Sequence, residues 1–172
     1  LSLIKDGKDL ALVADAGTPG ISDPGGKLIQ AVFEKFGDDV KIESVPGPSA
    51  ITAALSISGI PTDKFMFMGF PPHKKGRQTF IEKIFQSEYP VVVYESKYRI
   101  IKFLDELAAV NRKIILANEE NAKENEYYQH PQKDKEKEEI KQRPVSSVVV
   151  CRELSKMHET VYRGEITSIK EK

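Results

Sequence analysis

Residues 15–25, DAGTPGISDPG, place three glycines and two prolines in eleven positions, with Asp15, Ala16, Gly17, Thr18, Ile21, Ser22 and Asp23 among them. Backbone with so little side-chain bulk lets a ligand approach main-chain groups closely, and the short polar side chains orient it. The loop follows a short apolar run at residues 10–14 and precedes a helical pattern, the position at which open α/β sheets bind ligands. A ligand-free strand-to-helix turn has the same composition. The second loop, PGPSA at residues 46–50, repeats the grammar behind the next apolar segment and brings Ser49 and Ala50. Two such loops in series predict a shared cleft.

Other chemistry is sparser. Lys74, Lys75 and Arg77 follow a turn at residues 71–73 and form the best local basic patch. With Lys97 and Arg99 the patch is suited to tracking an RNA backbone, although charge runs after turns are usually solvated. The lone Cys151 reads as a buried strand residue rather than a nucleophile. No His/Cys cluster has metal-ligand spacing, so no metal site is expected.

The elements that must position these groups alternate between sheet and helix. Strands are predicted at residues 11–14 (ALVA), 41–45 (KIESV), 64–70, 91–94 (VVVY), 114–117 (IILA) and 145–151. One helix carries Leu28, Ile29, Val32, Phe33 and Phe36 on a single stripe and stops at Gly37. Another runs over residues 51–58 behind Ser49 as cap and ends at Gly59 and Pro61. A third turns Phe80, Ile81, Ile84 and Phe85 inward, and a fourth buries Ile100, Ile101, Leu104 and Leu107. This alternation predicts an α/β fold with a mostly parallel sheet. The stretch 58–65 reads as a linker, giving domains at 1–61 and 62–172.

Residues 118–143 break the rhythm, being almost free of aliphatic side chains and crowded with Glu and Lys. Such a segment cannot bury enough apolar surface to join a core. It reads as a solvated loop or charged surface helix, or as an RNA contact arm with Tyr127, Tyr128 and His130 as stacking groups.

The 172 residues carry 26 basic and 26 acidic side chains, so any nucleic-acid contact has to be local. No apolar run approaches the roughly 20 residues of a membrane span, and one cysteine fits a reducing, cytoplasmic compartment. The opening on Leu1, as if from the tail of a helix, predicts a fragment of a longer protein.

The ordered series DAGTPGISDPG, PGPSA, SGIPTDKFMFMGFPP, VVVYESKYR, CRELSKMHET and YRGEI resembles the ribosomal RNA small subunit methyltransferase I family of the tetrapyrrole-methylase superfamily. The resemblance spans the chain apart from 118–143, which has no counterpart in the usual pattern. The family's first strand, with its Gly-Asn-Leu signature, is absent from the chain. The resemblance implies a two-domain class III methyltransferase architecture and a homodimer. It also implies methyl transfer from S-adenosylmethionine to the ribose 2′-hydroxyl of a cytidine in 16S rRNA of the small ribosomal subunit. It assigns the cofactor to Asp15, Ala16, Gly17, Thr18, Ile21, Ser49, Ala50, Glu95 and Leu154, largely through main-chain groups, in a cleft between the domains. Small residues suit a sulfonium, a weakly hydrated cation that needs shape and carbonyl dipoles.

Most acceleration of such a displacement comes from holding the hydroxyl near the methyl carbon, with a nearby base as an aid. The polar candidates in matching motifs are Glu95, Glu153, Lys156 and His158. Glu153 and Lys156 equally read as a pair across a turn, and His158 as a surface histidine. Arg99 is better suited as a phosphate fork, and Lys74, Lys75, Arg77 and Arg99 are the expected RNA contacts. Two alternatives stay open: a methyltransferase acting on a tetrapyrrole ring, and a catalytically dead fragment of the RNA enzyme.

Overall fold

The computed structural model describes residues 1–127 and 142–169, and the chain divides into two compact units, Leu1–Ala53 and Ala54–Lys172. The division falls inside a helix, ahead of the 58–65 stretch.

The first unit contains α1 (Ser2–Lys5), α2 (Gly26–Phe36), a 3-10 turn (Gly37–Asp39) and the start of α3 (Ala50–Ser58). Helix α2 stops where the sequence places Gly37, which takes a φ of 54° and lets the chain turn away. Helix α3 begins directly after Ser49, whose carbonyl accepts a hydrogen bond from the Ala53 N–H at 3.0 Å. The two strands expected here do not form. Residues 11–14 and 41–45 carry no ladder, because a strand exists only where a neighbour pairs with it, and among the described residues none does. Leu12, Val13, Ile42 and Val45, with Leu28, Ile29 and Phe33 on α2, are exposed, and only Val32 of the expected stripe is buried.

The second unit is built on a βαβ element. Strand β1 (Met66–Gly69) pairs in parallel with β2 (Val91–Val93) across α4 (Arg77–Gln86). Met68 is an extra residue in the ladder, after which Gly69 pairs with Val93 and its carbonyl accepts from the Tyr94 N–H at 2.9 Å. Beyond β2 runs the long α5 (Ile100–Tyr127). The strand expected at 114–117 is part of it. Nothing between Ile100 and Ala117 breaks a helix, and Ile114 continues the stripe of Phe103, Leu104 and Leu107 one turn at a time. Ile101, expected inside, faces solvent, and Phe103 takes the inward place. Residues 118–127 extend the same helix with exposed positions up to 123. Tyr128 and His130 lie outside the described residues.

The chain re-enters at residues 142–147 and forms the hairpin β3 (Val148–Arg152) and β4 (Thr160–Gly164), then α6 (Ile166–Ile169). The pair is antiparallel, with Val150 opposite Tyr162, so the parallel pairing expected to dominate does not extend here. Residues 153–159 are too few to cross over a sheet, which needs a dozen or more. Ile81 and Phe85 of α4, the inner face of α5, and Ile166 and Ile169 of α6 form one core. Asn111 of α5 grips the main chain of Val145 on both sides, at 2.7 and 3.2 Å, and holds the incoming strand to it.

Phe85 is 1% exposed at the centre of this core. Phe85→Ala should lower unfolding free energy by about 3–5 kcal/mol in urea titration. Ile101→Ala, at an exposed position, should change it by less than about 0.5 kcal/mol.

Candidate functional site

The loop 15–25 and the loop 46–50 meet in the first unit. The Thr18 hydroxyl donates to the Pro48 carbonyl at 3.5 Å. Beside it, a Cβ on Gly17 would lie 3.8 Å from the same oxygen. Gly17 holds a φ of 76°, in the left-handed region where a side chain is strained whatever the space. Asp15, Ala16, Gly17, Ile21 and Ala50 are exposed, and Thr18 and Ser49 half-buried. The loops present main chain and small side chains to solvent, in the form a closely approaching ligand requires.

Among the described residues, three other than glycine have positive φ: Ser22 at 53°, Glu153 at 53° and Ser155 at 62°. Each costs about 1 kcal/mol. Ser22 lies in the first loop, and the other two flank Leu154 in the turn between β3 and β4. Such strain concentrates where a ligand or a reaction needs a particular backbone shape. Sequence reasoning took Ser22 as a polar group of the first loop and passed over Ser155, and nothing in either residue type signals the conformation.

At the carboxyl end of β2 sits a charged cluster. The Glu95 side chain is 2% exposed, with Oε1 2.9 Å from Arg99 Nη2 and Oε2 3.9 Å from Arg77 Nη1. The Ser96 N–H donates to Oε1 at 2.6 Å. Arg77 is also bound to Glu106 of α5, through Nε at 2.8 Å and Nη2 at 2.6 Å, and donates to the Pro72 carbonyl at 3.1 Å. Arg99 reaches the Ser96 hydroxyl at 3.1 Å and the His73 ring at 2.7 Å. Two cations and two carboxylates thus neutralise one another.

This geometry redistributes the expected roles. Arg77, expected in an RNA-facing patch, is buried and committed to Glu106, because a guanidinium out of water has to keep its carboxylate. Lys74 and Lys75 stay exposed on the neighbouring turn, and Arg99 stays half-buried at the rim. The Glu95 carboxylate is engaged by two arginines, which leaves its main chain as the part open to solvent. Glu153 pairs with Lys156 at 3.1 Å. The hydrogen bond and charge of Lys156, with smaller help from Arg152 and Lys97, hold its carboxyl below the usual carboxylate range. That makes it a poorer base than a free carboxylate. His158 is exposed. Burial pushes the Cys151 thiol up, in keeping with a strand residue. Glu106 and His73 complete the cluster, and sequence reasoning missed both. Glu106 carries no local signal, since its partner lies 29 residues away.

Comparison with known proteins gives the family. The model of the family described as tetrapyrrole (corrin/porphyrin) methylases matches residues 1–170. The chain belongs to the tetrapyrrole methylase family. Among similar proteins are three named ribosomal RNA small subunit methyltransferase I. The one from Hydrogenobaculum sp. is 36% identical over 98% of this chain and 58% of its own length. That from Thermotoga maritima is 35% identical over 74% of the chain and 57% of its own. That from Synechocystis sp. is 33% identical over 96% of the chain and 48% of its own. The chain thus spans about half the length of the curated relatives it matches. For this tetrapyrrole methylase chain, no helix among the described residues is long and apolar enough to cross a membrane.

Arg77→Ala should leave Glu95 and Glu106 short of a counter-charge and cost about 3 kcal/mol in chemical unfolding. Lys74→Ala, three residues before Arg77 and exposed, should leave the unfolding midpoint where it was.

Proposed function

We propose that this chain is part of an S-adenosylmethionine-dependent methyltransferase of the cytoplasm that methylates the ribose 2′-hydroxyl of a cytidine in 16S rRNA. The observation that carries the cofactor assignment is the meeting of the two Gly/Pro loops at Thr18 and Pro48, with Gly17 left-handed beside them. A sulfonium nucleoside fits this donor set: the loops offer small residues and carbonyl dipoles, and no strongly basic side chain stands in either loop.

The cofactor supplies, when bound, an electrophilic methyl group. Gly17, Ala16 and Thr18 would hold its methionine and ribose parts, and Ser49 and Ala50 the adenosine side. In the second unit the open main chain of Glu95 and the strained turn around Leu154 would serve the adenine. These residues orient rather than react, in keeping with a reaction accelerated chiefly by placement of the acceptor hydroxyl. Lys74, Lys75 and Arg99 would meet RNA phosphates. Arg77 is left out of that set and given the task of fixing Arg99's surroundings through Glu95.

The names of the relatives support the rRNA substrate, and the family's description favours a second reading, methylation of a corrin or porphyrin precursor. The homodimer implied by the resemblance belongs to the same proposal.

Isothermal titration should show the chain binding S-adenosylmethionine. Gly17→Val should lower that affinity at least tenfold with the unfolding midpoint little changed. Equal affinity in the variant would remove the loop assignment. Incubation with radiolabelled cofactor and small ribosomal subunits should label 16S rRNA. Label on a porphyrin-like ring instead would establish the second reading.

A further inference from the structure

Tyr98 is 85% exposed, the most open aromatic among the described side chains. It takes no part in the core, and yet its position is fixed on both sides. Glu95, three residues earlier, is buried and ion-paired. Arg99, the next residue, is tied to Glu95, to the Ser96 hydroxyl and to His73. The turn itself is closed by the Arg99 N–H donating to the Ser96 carbonyl at 3.0 Å. A stiff turn therefore holds a large flat ring out into water.

The surroundings of the ring are cationic. Lys97 Nζ lies 5.0 Å from its centroid. The Arg99–His73 contact brings in the turn that carries exposed Lys74 and Lys75. A core aromatic would gain from burial, and a protein-binding aromatic sits best among apolar neighbours with few lysines. An aromatic ring amid lysines and an arginine matches the requirements of single-stranded nucleic acid, whose bases stack while its phosphates meet the cations.

We propose that Tyr98 is a stacking platform for an unpaired nucleobase of the substrate RNA, with Lys97, Lys74 and Lys75 meeting the flanking phosphates. The assignment rests on the RNA reading above and adds a residue and a strandedness to it. A duplex hides its base faces against one another, so the platform selects RNA whose bases are splayed out.

The test uses the full chain and a short single-stranded RNA containing the fluorescent base 2-aminopurine, with the matching duplex as control. The parent should bind the single strand with salt-dependent affinity and quench the fluorescent base. Tyr98→Ala should weaken binding by about 5- to 150-fold and abolish the quenching. Tyr98→Phe should keep both, since the stack needs the ring and not the hydroxyl. Lys74→Ala with Lys75→Ala should weaken binding and flatten its salt dependence while bound RNA is still quenched. Undiminished binding and quenching by Tyr98→Ala, with the parent binding RNA normally, would overturn the Tyr98 assignment alone. No RNA binding by the parent would overturn the RNA reading and this assignment with it. Loss of self-association in Tyr98→Ala, with RNA binding intact, would make the ring a protein interface and equally overturn the proposal.

Discussion

Burying the Glu95 carboxylate at the end of a strand removes its hydration, a loss of several kcal/mol that only close counter-charges offset. Two guanidinium groups do so, and each carries a piece of the fold with it. Through Arg77, the first turn of α4 is joined to α5 at Glu106 and to the turn before it at Pro72. Through Arg99, the entry to α5 is joined to His73. Remove the carboxylate and Arg99 loses its acidic partner, while Arg77 keeps its nearer one in Glu106. The bonds are distributed so that Glu106 completes the balance at the surface, where its own hydration is partly kept.

The first unit is organised differently. Val32 and Ile51 are its buried hydrophobic side chains among those described, too few to impose a shape by packing alone. Local chemistry does more of the work there. Glycines at positive φ turn the chain at residues 17, 20 and 25, prolines restrict it between them, and Ser22 accepts a conformation that few side chains tolerate. One long hydrogen bond, from Thr18 to Pro48, joins the two loops. Shape in this unit is carried by backbone preference, and shape in the second by charge and by the aromatic and aliphatic core.

Legibility in the sequence followed the same division. Helices α2, α3 and α4 were readable because caps, glycine stops and a 3.6-residue stripe act within one segment, and Gly37 and Ser49 end or begin them where expected. Strand β2 was readable from three successive valines ahead of a tyrosine. Residues 11–14 and 41–45 have the composition of strands and no ladder, since pairing is decided by a neighbour that composition does not reveal. Residues 114–117 mislead in the opposite way: four apolar residues read as a strand in isolation, and only the uninterrupted helical register from Ile100 shows otherwise. Strand β4 was missed because its signal, Thr160, Val161 and Tyr162, is no stronger than that of many loops. In the site, the glycine loops were visible because their residue types are unusual. The burial of Arg77 was not, because a guanidinium beside two lysines looks like surface until Glu106 is brought to it from another helix.

The grip of Asn111 on Val145 has a consequence for how this fold can vary. One amide side chain supplies both a donor and an acceptor to the returning main chain, standing in for a neighbouring strand. Close by, the Arg143 N–H donates to the Phe85 carbonyl at 2.9 Å, a second anchor on the same return path. The two contacts fix where the returning chain meets the core, at Arg143 and Val145. A connection of another length that still delivers Arg143 to Phe85 and Val145 to Asn111 would leave the hairpin and the core in place, so length is a property in which descendants of one ancestor can differ while keeping the same centre.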